Sequence, residues 1–335
     1  MLDSILQFAL RQRLLVLIAT AILIGTGLWA MKRLPVDAFP DVTNVQIQIL
    51  SQAPGMAPTE VEKLVTFPIE TTMAGLPRLD QVRSLSKIGL SVITVAFQDG
   101  VDIYFARQQV FERLQQAKES LPKGIEPQMG PITTGLGEIF QYILEGEGRD
   151  IREIRAIQDW IIRPLLRTVP GVADINSFGG KVKQYEVVID PDKLKSFDLT
   201  VRHVYEAVES NNVTAGAGYI EHREEQYMVR GLGLAKSIED LKEIVVTSRG
   251  GTPIHVHDVA EVSLGSEPRQ GATTYDGKGE AVAGIVMMLK GASGKEVVTG
   301  VKKKVEAIQK SLPEGVKLVP YYDRTALVEK VIETV

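Results

Sequence analysis

Cysteine is absent from all 335 residues, and its absence excludes several kinds of chemistry at once. The chain can form no disulfide, no thiolate metal site and no cysteine nucleophile. Any metal site must therefore use carboxylate, imidazole or thioether ligands. The sequence offers 42 acidic residues, four histidines and eight methionines for that purpose.

A basic excess and the motifs of common enzymes are lacking as well. The formal net charge of −4 argues against nucleic acid as a partner. The run "GGKVK" lacks the spacing of a phosphate-binding loop, and no nucleophile–base pair or nucleotide fingerprint is evident. We therefore predict that the chain is not an enzyme and that it holds no tightly bound cofactor.

Long hydrophobic runs are scarce, with a single exception near the start. The segment Leu14–Met31 has 18 residues without a charge, which span roughly 27 Å as a helix, about one bilayer core. Arg13 precedes it and Lys32 follows it, as interfacial anchors do. A cleaved signal peptide is the alternative, but this run is longer than such a core and is followed by a poor cleavage site. We predict a retained membrane helix with everything after Pro35 outside.

Two pairs of similar segments indicate an internal repeat. "SLPKGIEP" (Ser120–Pro127) resembles "SLPEGVKL" (Ser311–Leu318) at an offset of 191 residues. "LPRLDQVRSL" (Leu76–Leu85) resembles "VPGVADINSF" (Val169–Phe178) at an offset of 93. The offsets differ by 98, which predicts that roughly that many residues are inserted within the second copy, between about Lys183 and Arg269.

Each copy has the pattern strand–helix–strand–strand–helix–strand of a ferredoxin-like βαββαβ unit. In the first copy the alternation in "NVQIQIL" predicts a strand with one buried face. The predicted fold class is α+β, with one N-terminal transmembrane helix and two such units, the second split by an α+β insert. The predicted segments are the tail and membrane helix (1–34), the first unit (35–131), the second unit (132–182 and 270–324), the insert (183–269) and the start of a second membrane helix (325–335).

The predicted insert has elements of its own. They are the strand "QYEVVID", a helix over Val201–Ser210, the strand "EQYMVRG", the short helix "SIEDLKEI" and the strand "VHDVAEVSL". The histidines of "PIHVHDV", His255 and His257, would then lie on one face of a strand. Such a pair can bind a metal ion, but it more often forms an exposed polar face. We expect His203 and His222 to be surface residues.

Several long motifs carry a resemblance to a known family. "LPVDAFPDVTNVQIQILSQAPGMAPTEVEKLVTFPIE", "RSLSKIGLSVITVAFQDGVD", "GPITTGLGEIFQY" and "RAIQDWIIRPLLRTVPGVADINSFGG" resemble the heavy-metal branch of the resistance–nodulation–division (RND) exporters, the CzcA/CusA type. The resemblance covers essentially the whole chain and corresponds to the N-terminal portion of such an exporter.

The resemblance implies a location, a driving force and partners. Family members are homotrimers in the inner membrane that expel metal cations through a periplasmic adaptor and an outer-membrane channel. The proton motive force drives them, and their intramembrane proton-relay carboxylates lie beyond the segment that this sequence matches. The two βαββαβ units would be periplasmic porter subdomains and the insert a docking subdomain. We therefore expect that the chain by itself does not transport.

The resemblance also suggests which cation is carried. Copper and silver members rely on methionine, whereas zinc, cobalt, nickel and cadmium members use carboxylate and imidazole. Glu138 stands where the copper-type members have an aromatic residue, and the same comparison singles out Asp174. These two residues are the predicted metal ligands, with a divalent Zn, Co, Ni or Cd ion as the transported substrate. Met287 and Met288 lie in an apolar strand and are interpreted as core residues.

Other functions remain open at this point. The chain could be a membrane-tethered periplasmic protein that binds metal or an exporter subunit without transporting. It could also belong to a copper- or silver-type exporter, or to a drug exporter. A drug exporter would be expected to have an aromatic-rich cleft, and only 6% of the residues are aromatic.

Overall fold

The structure of the protein, a computed structural model, describes residues 11–33, 43–222, 225–269, 271–327 and 330. The fold is α+β, as the sequence predicts. Its helices are α1 (Arg13–Arg33), α2 (Pro58–Val61), α3 (Phe67–Met73), α4 (Ile103–Lys118), α5 (Ile151–Ile157), α6 (Arg163–Arg167), α7 (Pro191–Ser196), α8 (Val201–Asn211), α9 (Ile238–Lys242), α10 (Val256–Val259) and α11 (Gly294–Gln309).

Fourteen strands are present in the described residues. They are β1 (Gln46–Gln52), β2 (Leu79–Lys87), β3 (Leu90–Phe97), β4 (Pro127–Met129), β5 (Glu138–Gly146), β6 (Val172–Gly179), β7 (Lys183–Ile189), β8 (Thr214–His222), β9 (Glu225–Leu232), β10 (Val245–Arg249), β11 (Thr252–His255), β12 (Ala260–Ser266), β13 (Val282–Met288) and β14 (Val316–Asp323).

Helix α1 is long and apolar enough to cross a membrane. Its 21 residues span roughly 31 Å, and no residue of the 18-residue window Arg13–Ala30 is buried within the described protein. Large apolar side chains such as Leu14 and Leu23 are each 73% exposed. An apolar helix with so exposed a surface fits an apolar environment such as a bilayer.

The first sheet has the strand order β2-β3-β1-β4, and every neighbouring pair is antiparallel. In β1 the predicted alternation is confirmed, because Ile47 and Ile49 are buried while Gln48 is exposed. These side chains pack against α2, α3 and α4 in a hydrophobic core that includes Val65 and Val110. Asp102 caps α4, since its carboxylate accepts from two backbone N–H groups at the start of that helix.

The second sheet has the order β14-β5-β13-β6, again antiparallel throughout. A separate core joins this sheet to α5, α6 and α11 and includes Ile139, Ile175 and Val298. The central strand β13 is adjacent to β6 in space although residues 180–281 separate them in the sequence. Both sheets thus have the order in which a βαββαβ unit places its strands.

The first helical stretch of each unit contains the same irregularity. A π-helical turn lies at Glu62–Thr66 in one unit and at Gln158–Ile162 in the other. Pro68 and Pro164, each six residues after the start of its turn, cannot donate the hydrogen bond of a regular helix. The turn accommodates that missing bond by widening, as π-bulges do. Both features recur at an offset of 96 residues, which supports the internal repeat.

Residues 183–269 have small hydrophobic cores of their own. Strands β7 and β12 pair antiparallel and join this segment to the second unit. Beyond them lie α7 to α10, the ladder β10-β11 and the hairpin β8-β9. The core residues are chiefly valine, leucine and isoleucine, and Val256 and Val259 are fully buried among them.

Sequence reasoning was wrong at one place in this segment. "VHDVAEVSL" is not one strand, because Val256–Val259 is a helical turn and β12 begins only at Ala260. The carboxylate of Asp258 accepts a hydrogen bond of 2.8 Å from the backbone N–H of His255. This local bond stabilises a turn over an extended chain. Strands β8 and β10 and helix α7 were not predicted.

The predicted second membrane helix, residues 325–335, falls mostly outside the described residues. Helical residues begin at position 324, directly after β14.

Candidate functional site

Glu138 is the first residue of β5 and follows a short 3-10 turn over Gly135–Gly137. The turn is tight, since a Cβ atom at Gly137 would lie 2.3 Å from the Thr133 hydroxyl oxygen. Glu138 is half-buried, and its Oε2 accepts a hydrogen bond of 3.0 Å from the Gln141 side-chain amide. The sequence places a carboxylate at the end of a buried strand, and the turn fixes where that strand begins.

Asp174 lies in β6, two strands away from Glu138 across the sheet. Both residues pair with the same residue of the central strand, Met287, so the three form one row. Adjacent strands are about 4.8 Å apart, which puts the backbones of Glu138 and Asp174 roughly 10 Å apart. Two carboxylates at that spacing can share one ion only if both side chains extend over Met287.

Asp174 already has cationic partners. Its carboxylate lies 3.2 Å from Arg163 Nη2 and 3.5 Å from Arg167 Nε. The backbone N–H of Ile175 donates a further hydrogen bond of 2.8 Å to Asp174 Oδ1. The Asp174 side chain is only 18% exposed, so these contacts compensate a largely desolvated charge. A metal ion at Asp174 would have to share the carboxylate with both arginines or displace them.

A small cavity of about 190 Å³ opens beside Glu138. Its walls also include Gln141, Tyr322 and Arg324. Arg324 is 3% exposed, and its guanidinium donates to the carbonyl of Leu136 in the turn before Glu138. The cavity therefore combines oxygen atoms that suit a hard or borderline cation with one fixed positive charge. Nearby, burial and the charge of Glu138 together raise the pKa of Tyr321.

The end of β14 carries an ion pair of Asp323, a residue whose position before a helix start favours a salt bridge, but the sequence did not indicate its partner. Asp323 pairs with Lys302 of α11 and accepts hydrogen bonds from the Thr325 backbone N–H at 2.9 Å and hydroxyl at 2.6 Å. Burial alone would raise the pKa of Asp323, but the bonds from Lys302 and Thr325 outweigh it and lower that pKa. The signal in the sequence was an acidic residue directly before a helix start, which is typical of a cap.

The two methionines of β13 are buried, as predicted for core residues. Met287 is 6% and Met288 7% exposed. Met287 differs from an ordinary core residue, however, because it pairs with both Glu138 and Asp174 in their row.

His255 and His257 come together with Asp258, although by a different geometry from the one predicted. They do not share a strand face. His255 ends β11 and His257 lies in the turn α10, where their rings stack with centroids 5.1 Å apart. One potential ligand atom from each of His255, His257 and Asp258 lies within 4.8 Å of the others.

The other two histidines are not part of this cluster. His203 lies in α8, and its Nδ1 accepts a hydrogen bond of 3.2 Å from the Thr200 backbone at the helix start. His222 ends β8, and its side chain lies outside the described residues.

Comparison with known proteins gives consistent results over the whole chain. The profile of the AcrB/AcrD/AcrF family matches residues 5–335. The cation efflux system protein CzcA of Alcaligenes sp. (strain CT14) is 49% identical over 100% of this chain and 32% of its own length. The cobalt-zinc-cadmium resistance protein CzcA of Cupriavidus metallidurans is 48% identical over the same shares. CusA of Escherichia coli K12 is 40% identical over 99% of this chain and 32% of its own length.

Solved structures agree with these relatives. The crystal structure of a heavy metal efflux pump, crystal form I, superposes with a TM-score of 0.90 at 35% sequence identity. That alignment covers 98% of this chain and 33% of the pump. The chain thus spans about a third of the length of the curated relatives that it matches.

Proposed function

The chain belongs to the AcrB/AcrD/AcrF family of RND transporters and to its heavy-metal efflux group, and from this premise we propose that it is the N-terminal part of a proton-driven exporter of divalent cations. The substrate would be Zn²⁺, Co²⁺, Ni²⁺ or Cd²⁺. The observation that carries this proposal is the row Glu138–Met287–Asp174, in which two carboxylates flank one position of a central strand.

The architecture supports an assignment of parts. The first sheet with its helices would be one periplasmic porter subdomain, and the split second unit would be the other. Residues 183–269 would be the docking subdomain, and α1 would anchor the chain in the inner membrane. This assignment rests on two features. Both sheets are antiparallel with the same strand order, and a segment is inserted between β6 and β13 of the second sheet.

The proposed partners follow from the family. The complete transporter would be a homotrimer that works with a periplasmic adaptor protein and an outer-membrane channel, and nucleic acid would have no part in it. Further ligands for the cation and the proton-relay residues would come from parts of the transporter beyond the segment matched here. We expect that residues 1–335 alone do not transport.

The choice of a divalent cation has two supports. Glu138 and Asp174 offer oxygen ligands, which bind Zn²⁺, Co²⁺, Ni²⁺ and Cd²⁺ and are poor ligands for Cu⁺. Relatives named for cobalt, zinc and cadmium are 48% identical to this chain, whereas CusA is 40% identical.

One observation favours a copper- or silver-type exporter as the second candidate. Met287 is the residue of the central strand that pairs with both Glu138 and Asp174, and its thioether is a ligand that selects soft ions such as Cu⁺ and Ag⁺. A Met287→Leu variant separates the two candidates because leucine keeps the volume and removes the sulfur. The leading proposal expects unchanged Zn²⁺ and Co²⁺ tolerance in that variant, whereas the second candidate expects a loss of Cu⁺ or Ag⁺ tolerance.

The main test measures metal tolerance of cells that depend on the complete transporter. Glu138→Gln and Asp174→Asn each remove one charge with little change in shape, and we expect both to lower tolerance of divalent cations sharply. Glu145→Gln is the matched control, because Glu145 lies in the same strand and is exposed to solvent. Wild-type tolerance of zinc, cobalt, nickel and cadmium in both site variants would refute the site.

A further inference from the structure

The strongest unexplained cluster outside the second sheet is the His255–His257–Asp258 group, in the segment 183–269. It lies where β11 ends and α10 begins, on a turn fixed by two fully buried side chains, Val256 and Val259. Because both anchors are in the core, the three polar side chains project from a rigid piece of backbone. Rigid support of this kind is what a metal site requires.

The hydrogen bonds of His257 determine which of its nitrogens is free. Its Nδ1 lies 2.9 Å from the backbone carbonyl oxygen of Lys242, and a carbonyl can only accept. Nδ1 therefore carries a proton, which leaves Nε2 as the nitrogen that can bind a metal. A backbone carbonyl that fixes the ring in this way is the usual outer partner of a metal-ligating histidine.

The free nitrogen of His257 faces a carboxylate. His257 Nε2 lies 3.5 Å from Asp258 Oδ1. In the neutral ring both atoms are hydrogen-bond acceptors, and a metal cation between them would accept both lone pairs. Two ligands at about 2.1 Å from a tetrahedral ion are about 3.4 Å apart, which matches the observed separation.

His255 supplies the third ligand from the other side of the same carboxylate. Its Nδ1 lies 3.7 Å from Asp258 Oδ2, and its ring is parallel to that of His257 within 8°. The capping box at the start of α10 accounts for Asp258, whose Oδ2 accepts from the His255 backbone, and for His255 at the N-cap, but it does not explain the His257 ring stacked on that of His255. Glu243 adds negative charge at the rim, with Oε1 3.8 Å from His257 Nδ1.

We propose that His255, His257 and Asp258 bind a divalent cation of the borderline class, namely Zn²⁺, Ni²⁺, Co²⁺ or Cu²⁺. Two imidazoles and one carboxylate are the ligands these ions prefer, and Mg²⁺ and Ca²⁺ prefer oxygen ligands alone. His257 is 43% exposed, so the ion enters directly from solvent and the fourth position stays open to water. The site is independent of the row Glu138–Met287–Asp174, since it belongs to a segment with its own cores.

The test uses the full 335-residue chain in detergent, with Glu138→Gln and Asp174→Asn introduced to remove the other candidate ligands. Calorimetric titration with Zn²⁺ should show one bound ion per chain. Titration with Co²⁺ should give the intense visible absorption of a four-coordinate ion. We expect His257→Ala and His255→Ala each to weaken Zn²⁺ binding by at least about tenfold.

Two further variants distinguish a lost ligand from a lost fold. Asp258→Asn keeps an oxygen that can cap the His255 backbone and removes the charge, so the turn should persist while affinity falls. His203→Ala removes a histidine of the same segment that lies outside the cluster, and its affinity should equal the parent's. Circular dichroism checks that each variant is folded.

Two outcomes would overturn the proposal. One is that the parent chain binds no Zn²⁺ at this position. The other is that folded His257→Ala and His255→Ala variants bind Zn²⁺ as tightly as the parent. Neither outcome bears on the exporter proposal, because Glu138 and Asp174 are already neutral in these experiments.

Discussion

The two four-stranded sheets have the same strand order, and the first helical stretch of each unit contains the same π-helical turn. They differ in one row of paired residues, which is charged in the second sheet and neutral in the first. In the second sheet Glu138 and Asp174 both pair with Met287. At the matching place in the first sheet Gln46 and Gln81 both pair with Ala96. One unit thus has two carboxylates where the other has two neutral amides.

The match between the rows extends to the bulge beside them. In the first sheet the register jumps between Leu79 and Gln81, which pair with Phe97 and Ala96. In the second sheet it jumps in the same way beside Asp174, where Val172 pairs with Met288. Gln81 and Asp174 are 93 residues apart, the offset found in the sequence repeat. Both copies therefore have the same backbone arrangement at this row, but only the second copy has a pair of charged side chains there.

The largest expected effect concerns the two hydrophobic cores. Ile49 of the first sheet and Ile175 of the second are fully buried in separate clusters. Ile49→Ala and Ile175→Ala should each lower the free energy of unfolding by about 2–5 kcal/mol. Urea unfolding followed by circular dichroism measures this loss.

The double variant then tests whether the cores are independent. Because the clusters share no member, the two losses should add to within about 0.5 kcal/mol. Gln48→Ala, at an exposed position of β1, is the control and should change stability little. Strong non-additivity would mean that the two cores are energetically coupled.

The next effect concerns metal affinity. Glu138→Gln combined with Asp174→Asn gives the second sheet the neutral row of the first, and it removes two ligands at once. In the complete transporter we expect Zn²⁺ affinity at the porter site to fall at least about a hundredfold. Calorimetry measures the change, and Glu145→Gln should leave it within error. Unchanged affinity in the double variant would contradict the assignment.

A smaller effect concerns acid stability, which should differ between the sheets. Asp323 ends the second sheet, and the bonds from Lys302 and Thr325 lower its pKa. A carboxyl group with a lowered pKa stabilises the fold above its unfolded value of about 3.9 and loses that contribution as the pH falls through its folded value. Asp323→Asn should therefore reduce the acid sensitivity of unfolding below about pH 4. An identical pH profile for variant and wild type would show that the pair contributes nothing.

The smallest effect is expected from the reverse exchange in the first sheet. Gln46→Glu with Gln81→Asp creates two carboxylates around Ala96, but it adds neither Met287 nor the cavity beside Glu138. In the background that lacks Glu138 and Asp174 we expect Zn²⁺ affinity to change by no more than about twofold, as measured by the same titration. Recovery of wild-type affinity would show that the row alone is sufficient.

Much of this frame could be predicted from local patterns in the sequence. The alternation around Ile47 and Ile49 and the cap at Asp102 depend on near neighbours in the sequence, and the repeat is visible in the offsets between similar segments. The two strand orders are those expected of βαββαβ units. Alternation and helix caps involve residues only a few positions apart, so a short stretch of sequence is enough to predict them.

The site depends on contacts that no short window contains. The arginines that hold Asp174 are the first and last residues of a different element, α6, and the alignment of Met287 with two strands requires the long-range register and its bulges. The turn at His257 was missed because the Asp258 cap competed with a pattern that favours a strand. In the hairpin β8-β9 every side chain that the structure describes is exposed, so these positions give no alternation of buried and exposed residues.

The most direct measurement is an anomalous difference map of the complete transporter crystallised with Zn²⁺, recorded at the zinc edge. The account predicts a peak about 2 Å from carboxylate oxygens of both Glu138 and Asp174, over Met287, with Arg163 and Arg167 drawn away from Asp174. The result that would contradict it is a zinc-loaded crystal in which Asp174 still pairs with both arginines and no peak lies beside Glu138.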